Sequence, residues 1–327
     1  MTVRWGILGT GTIAEALTHA IRAEGGEVVA VGSASPTRAE TFARNHDIGR
    51  SHAPHHELLA AGGIDVVYVA TTNDRHRDDA IACLEAGVPV LLEKPFALST
   101  AQAEEVVGVA RRTGVFLMEA MWMRFQPGML ELERRIAAGE IGELRSVTID
   151  FGIVAEPDPT RRWFDRAQGG GALLDIGVYP LTFALSLLGP ATTGVAVGDL
   201  APTGVDEQVA VAMRHERGVA AWTASFVADG PVEAFLAGTE GSFHIPRVFH
   251  EVPHLTRLVR GEPVEQIAID GAGLGYRPEV REVHRCLADG LAESPRMPLD
   301  LSLTVMRWLD HLRDQVGVVY STEAAGR

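Results

Sequence analysis

Val3-Arg4-Trp5-Gly6-Ile7-Leu8-Gly9-Thr10-Gly11-Thr12-Ile13-Ala14 begins as a mostly apolar run, breaks into a glycine-rich turn and leads into the helix-like stretch 13–23. Residues 9–14 fit G-x-G-x-x-A at a strand-to-helix junction. In that setting the first glycine allows a tight turn and the second lets the backbone approach a pyrophosphate. The small Ala14 lets helix and strand pack closely, and the helix N-terminus then faces the negative charge.

Further β-rich runs follow at 28–31, 65–71, 88–93 and 115–119, with helix-like segments at 38–45, 75–86 and 101–112 between them. Val66-Val67-Tyr68-Val69-Ala70 is apolar at successive positions, so it needs cover on both faces, as in a parallel sheet between helices. Ser99 followed by Gln102 predicts a capping box for the helix at 101–112. Alternating βαβ units give an α/β fold, an N-terminal doubly wound parallel sheet of the Rossmann type over 1–122. From 123 to 327 the pattern changes: a helix over 129–138, a strand at 146–151, then mostly strands between 194 and 270, and two closing helices at 278–288 and 301–315. Consecutive strands with short connections predict a C-terminal α+β domain with a largely antiparallel open sheet.

A chain of 327 residues exceeds the size of one compact core, in line with two domains. Its 29 Lys+Arg against 43 Asp+Glu give a net charge of -14, which disfavours nucleic acid and anionic membranes as main partners. The two cysteines, Cys83 and Cys286, are read as buried free thiols, and no clustered Cys/His pattern predicts a metal. The run at 3–8 is too short for a signal-peptide core. The apolar stretch 176–188 is short for a membrane span and is read as a buried helix, so a cytoplasmic location is expected.

Several residues stand where chemistry is expected. The second strand ends Gly32-Ser33-Ala34-Ser35-Pro36-Thr37-Arg38, without the carboxylate that holds a ribose diol in NAD sites. Hydroxyls and a guanidinium there suit a 2′-phosphate, so Ser33, Ser35 and Arg38 favour NADP, with NAD as the alternative. Glu93 and Lys94 end a wholly apolar strand, at the edge where open α/β sheets bind ligands. Lys94–Pro95 is a candidate cis bond, because the chain must turn sharply there. Gly9, Gly11, Thr12, Ile13, Thr71, Asn73, His76, Glu93 and Lys94 complete the expected cofactor contacts, with His76 read as structural or at the cofactor edge. In Leu173-Leu174-Asp175-Ile176-Gly177-Val178-Tyr179, Asp175 and Tyr179 share one face if the stretch is helical. Tyr179 is a weak base at its ordinary pKa of about 10, and a neighbouring lysine would make it a better one. Pro180 predicts that this helix starts or kinks beside Tyr179. Trp122, Arg124 and Trp163 are candidate substrate contacts through aromatic faces and charge.

The motifs GTGTIA at 9–14, EKP at 93–95, MEAMWMRFQP at 118–127 and LLDIGVYP at 173–180 together resemble the glucose-fructose oxidoreductase/inositol dehydrogenase/MocA family over nearly the whole chain. Segments 115–127, 171–179 and 276–319 look most like the dimeric dihydrodiol dehydrogenases and NADP-dependent D-xylose dehydrogenases. The resemblance implies Lys94 and Tyr179 as a catalytic pair and Asp175 as the residue that orients substrate. It implies hydride transfer between NADP and a hydroxyl carbon of a sugar, polyol or cyclic dihydrodiol. One departure is Ala34, where NADP-preferring members often place arginine. The alternatives are a non-catalytic sugar or dinucleotide sensor and an NAD-dependent glycosidase. Strands 209–213 and 219–222 lack clean alternation, which predicts cover for both sheet faces and hence a homodimer.

Overall fold

A computed structural model describes residues 2–156 and 158–320. The N-terminal part runs β1 (Arg4–Leu8), α1 (Thr12–Ala23), β2 (Glu27–Gly32), α2 (Pro36–Asn45), β3 (Arg50–His52), α3 (Glu57–Ala60), β4 (Val66–Val69), α4 (His76–Glu85), β5 (Val90–Glu93), α5 (Thr100–Thr113) and β6 (Leu117–Ala120). Its six strands form one sheet in the order β3-β2-β1-β4-β5-β6, and every pairing is parallel. This is the expected doubly wound sheet. The apolar runs explain it: Ile7, Val66–Val69 and Val90–Leu92 are fully buried, and each such side chain stabilises by roughly 1.5–3 kcal/mol. β3 and α3 have no counterpart in the sequence reading, because Arg50–His52 is a polar three-residue edge strand that lacks an apolar run. At α5, Ser99 Oγ accepts the Gln102 N–H at 3.4 Å, and Gln102 Oε1 accepts the Leu98 N–H at 3.2 Å. The glutamine thus reaches one residue beyond the capping serine.

The second part contains α6 (Pro127–Ala137), β7 (Leu144–Gly152), α7 (Val178–Leu188), β8 (Ala191–Leu200), β9 (Asp206–His215), β10 (Val219–Ser225), β11 (Ala234–Gly238), β12 (Ser242–Ile245), β13 (His254–Val259) and β14 (Glu262–Ala268). Its eight-stranded sheet has the order β14-β13-β12-β11-β7-β10-β9-β8. Among the described strands of this sheet, only β7 and β10 pair in parallel. α7 is almost wholly buried. The helical stretch Arg166–Leu188 has the length and composition of a membrane span, yet 94% of its most apolar window is buried in the fold. One face of the sheet differs from expectation. β9 alternates cleanly from Val209 onward, with Val209, Val211 and Met213 buried and Ala210, Ala212 and Arg214 exposed. Small apolar residues on the outer face hide that alternation in the sequence.

The chain then forms α8 (Arg277–Ala288) and α9 (Leu299–Val316). By packing, residues 275–306 belong with the N-terminal part up to Trp122, and the described residues from 307 onward belong with 123–274. A single boundary after 122 therefore misses a return of the chain. Val280, Val283 and Cys286 of α8 are fully buried. Trp5 Nε1 donates to His284 Nε2 at 3.0 Å, and Glu24 receives Arg277 at 2.6 Å and Arg281 at 2.5 Å. Cys83 and Cys286 are free and buried, as expected. Burial pushes their thiols up, to about 12 and about 11, so neither is a nucleophile near neutral pH.

Candidate active site

The glycine turn between β1 and α1 has the geometry a diphosphate needs. Gly9 sits at φ +113°, and a Cβ there would lie 2.2 Å from the Ala70 carbonyl oxygen. Only glycine permits this crossing of the β1 and β4 ends. Gly11 is different: a Cβ would meet nothing within 4 Å, so the fold leaves open space at the start of α1. The α1 N-cap has no side-chain hydrogen bond, which leaves its first N–H groups available to an anionic ligand. Thr12 and Ile13 form that first turn. These residues fit a nicotinamide dinucleotide.

At the end of β2, Ser33 Oγ accepts the Ser35 N–H at 3.2 Å, and Ser35 Oγ caps α2 by accepting the Arg38 N–H at 3.4 Å. Both serines shape the turn while keeping their hydroxyl hydrogens. Arg38 is exposed and makes no ion pair among the described residues.

Around Lys94 the first unit is built from buried polar contacts. Tyr68 donates to Glu93 Oε1 at 2.5 Å, and Glu93 Oε2 accepts the Lys94 N–H at 2.9 Å. His76 Nδ1 lies 2.8 Å from the Pro95 carbonyl and Nε2 3.2 Å from that of Thr71. Burial holds His76 below its usual range, so near pH 7 it is neutral, with one ring N–H that donates to one of these two carbonyls. Asn73 is buried in the same stretch. The Lys94–Pro95 bond is cis, as expected, and so is Ala53–Pro54. Trp122 is buried against Tyr276, ring centroids 5.0 Å apart.

In the second unit Asp175 and Tyr179 lie in one continuous helical stretch and both are buried. α7 starts at Val178, beside Tyr179 as expected, but it continues an earlier helical turn without a gap. That turn, Leu173–Gly177, adopts the wider π conformation. That widening relieves the clash of the Pro180 ring with the preceding turn, and such turns recur at functional sites. The glycine triplet is structural. A Cβ on Gly170 would come within 2.7 Å of the Arg162 carbonyl, and one on Gly171 within 2.3 Å of Asp206 Oδ1. Asp206 holds the start of the π turn by accepting the Leu173 N–H at 2.5 Å, and burial raises it to about 6.

Arg162 Nη2 lies 3.2 Å from Asp175 Oδ1. Tyr179 sits in an aromatic shell: Phe151 at 5.7 Å and His250 at 5.4 Å, with His250 stacked on Phe151 at 4.9 Å. Phe151 and His250 are absent from the sequence reading, because a phenylalanine in a strand and a lone histidine in a loop carry no pattern. Trp163 packs beside Phe226, 6.0 Å between centroids. Arg124 is drawn into an ion pair with Glu133 at 2.5 Å, so its charge is engaged within the fold.

A Rossmann sheet with an open diphosphate turn, joined in one chain to an open mixed sheet that buries an Asp–Tyr pair, defines a nicotinamide-dependent oxidoreductase. The family model "Oxidoreductase family, NAD-binding Rossmann fold" matches residues 3–121, and the "GFO/IDH/MocA C-terminal domain" model matches 129–244. The chain belongs to the GFO/IDH/MocA family. It is 36% identical to the trans-1,2-dihydrobenzene-1,2-diol dehydrogenase of Danio rerio, over 99% of this chain and 100% of that protein. The Homo sapiens protein of the same name is 34% identical, over 98% of each. Among solved structures, a 3-ketoreductase from Actinomadura kijaniata with NADP and TDP-benzene has a TM-score of 0.85 at 27% identity, covering 97% of this chain and 98% of that one. Levoglucosan dehydrogenase, complexed with NADH and levoglucosan, has the same fold, with a TM-score of 0.87 at 21% identity over 96% and 97%.

Proposed function

We propose that this protein oxidises one hydroxyl of a vicinal diol on a ring, a cyclic trans-dihydrodiol or a sugar, with NADP as the preferred coenzyme. The observation that carries the reading is the Tyr179 ring set among Phe151 and His250, four residues after a buried Asp175. Aromatic walls suit the flat face of a dihydrodiol or the apolar face of a pyranose, and the carboxylate suits a hydroxyl. The full-length relatives named as dihydrodiol dehydrogenases support the dihydrodiol arm, and the 3-ketoreductase solved with NADP supports the coenzyme.

The coenzyme supplies the hydride acceptor. Tyr179 takes the proton of the reacting hydroxyl, and Lys94 favours its loss by charge. Asp175, steadied by Arg162, holds the neighbouring hydroxyl. NADP is preferred because the β2 end lacks a carboxylate and carries the half-buried Ser35 and the exposed Arg38 beside the buried Ser33.

The chain is proposed to work as a homodimer. The outer face of the second sheet carries the cross-strand row Val195, Ala212, Ala221, Thr148 and Phe235, and Val195 and Val197 are 62% and 72% exposed. An apolar strip of this kind marks an association surface.

The test is coenzyme reduction by purified protein with trans-1,2-dihydrobenzene-1,2-diol, pentoses and hexoses, each with NADP and NAD. Tyr179→Phe should lose at least about 100-fold in turnover, the usual reach of a positioned acid–base group. Absence of coenzyme reduction across the panel, or near-normal turnover in Tyr179→Phe, removes the reading.

A further inference from the structure

Beneath Lys94 the first unit buries an unusual amount of acid. Tyr68 is fully buried on β4, a central strand, where an apolar side chain would satisfy the core. A buried hydroxyl must be hydrogen-bonded or it costs stability, and this one donates to Glu93 Oε1. The register explains the meeting. Tyr68 pairs with Leu91, two residues before Glu93, so Tyr68 and Glu93 face the same side of the sheet. Glu119 pairs with Leu92 and faces the other side. The second oxygen of Glu93 accepts the Lys94 backbone N–H. Both carboxylate oxygens therefore accept, which is the role of an anion.

We propose that Tyr68 is a positioning residue: through the Glu93 carboxylate it fixes the backbone at Lys94 and the charge beside it, and so sets the pH range in which the enzyme works. The inference rests on Lys94 acting in catalysis, as proposed above. The groups that act on this centre come from every side. They are Tyr68 from β4, Glu119 from β6, Tyr276 and Glu279 from the α8 end, and Lys94 from the end of β5 itself. His76 of α4 lies beside the next carbonyl, that of Pro95. Burial, with the charge of Glu93, pushes Tyr68 and Glu279 well above their ordinary values and Glu119 to about 7. Tyr68 and Glu279 keep their protons near neutral pH and Glu119 keeps its own below about pH 7, which leaves the anionic role to Glu93 on the acid side of neutrality.

The test is the pH profile of kcat for the full-length protein carrying Tyr68→Phe, from pH 5 to 9. The ring is kept and one donor to Glu93 is lost. A lost charge-assisted hydrogen bond corresponds to a shift of about one to two pH units. The acid limb should rise by that amount, with turnover at pH 6 down at least about tenfold and the high-pH plateau within about threefold. A purely structural tyrosine would lower the melting temperature without moving the limb. A profile superimposable on the unmodified protein overturns the proposal. If Tyr68→Phe does not fold, Glu93→Gln replaces it: that acid limb should vanish and turnover fall at least about tenfold at every pH, whereas an unchanged limb overturns the proposal. Lys94→Ala is measured in parallel. Near-normal turnover there sinks both the proposed role of Lys94 and this inference. Lost turnover in Lys94→Ala beside an unmoved Tyr68→Phe profile sinks the inference alone.

Discussion

Arg38 stands exposed in the first turn of α2, which Ser35 caps. A guanidinium so placed can pair with a 2′-phosphate, and a charge-assisted bond of this kind contributes roughly 1.5–3 kcal/mol, at least about tenfold in affinity. Arg38→Ala should therefore raise the Kd for NADP about tenfold while that for NAD barely moves. Equal losses for both coenzymes, measured by titration, count against the assignment. Glu119 gives a second test. Its ordinary value is 4.5 and burial raises it to about 7, so the folded state takes up a proton that the unfolded state releases. Its contribution is most favourable below about pH 4.5, falls as pH rises to about 7, and is flat above. Glu119→Gln should then stabilise the protein at pH 7.5 by at most on the order of 3 kcal/mol, and by less than about 1 kcal/mol at pH 5. Denaturation curves at the two pH values decide it, and an equal gain at both would be the wrong result.

Among the elements, the β1–α1 junction separates two roles that one motif contains. Gly9 is required by the backbone, with its positive φ and the close approach to Ala70. Gly11 has an ordinary φ of -81° and free space around it. Gly9→Ala should lower both the melting temperature and coenzyme affinity. Gly11→Ala should leave the melting temperature within about 1 °C and weaken both coenzymes at least about tenfold, because the new methyl meets only the ligand. Unchanged coenzyme binding in folded Gly11→Ala, read by fluorescence titration, moves the diphosphate elsewhere. The π turn at Leu173–Gly177 shows what an element takes from outside itself. A proline in an apolar run signals trouble for a helix, but not whether the helix starts, kinks or widens. Here the answer involves Asp206, which holds the Leu173 N–H from 33 residues further along the chain.

For the whole molecule, assembly is the property to measure. The outer sheet face places Val195 and Val197 on the exposed side of β8 beside Ala210 and Ala212 of β9. Light scattering at micromolar concentration should give twice the mass of one chain, and Val197→Asp should return it to one. A single-chain mass for the unmodified protein removes the homodimer. Much of the architecture was legible in the sequence. The β1–α1 turn, the apolar runs of β4 and β5 and the helices α8 and α9 follow from local composition and period, which act over a few residues. Lys94, Asp175 and Tyr179 were legible as polar groups at the end of, or within, apolar runs. The partners of these groups were not. Tyr68 and Glu93 lie 25 residues apart, and Trp5 and His284 lie 279 apart. Local period and composition were thus enough to tell which segments become strands or helices, and where glycine lets the backbone turn. Folding in three dimensions settled that residues 275–306 return to the first unit, that Arg124 is engaged by Glu133, and that Phe151 and His250 surround Tyr179. The difference is one of range: those pairings are selected by burial and charge satisfaction in the folded chain, and no local pattern encodes them.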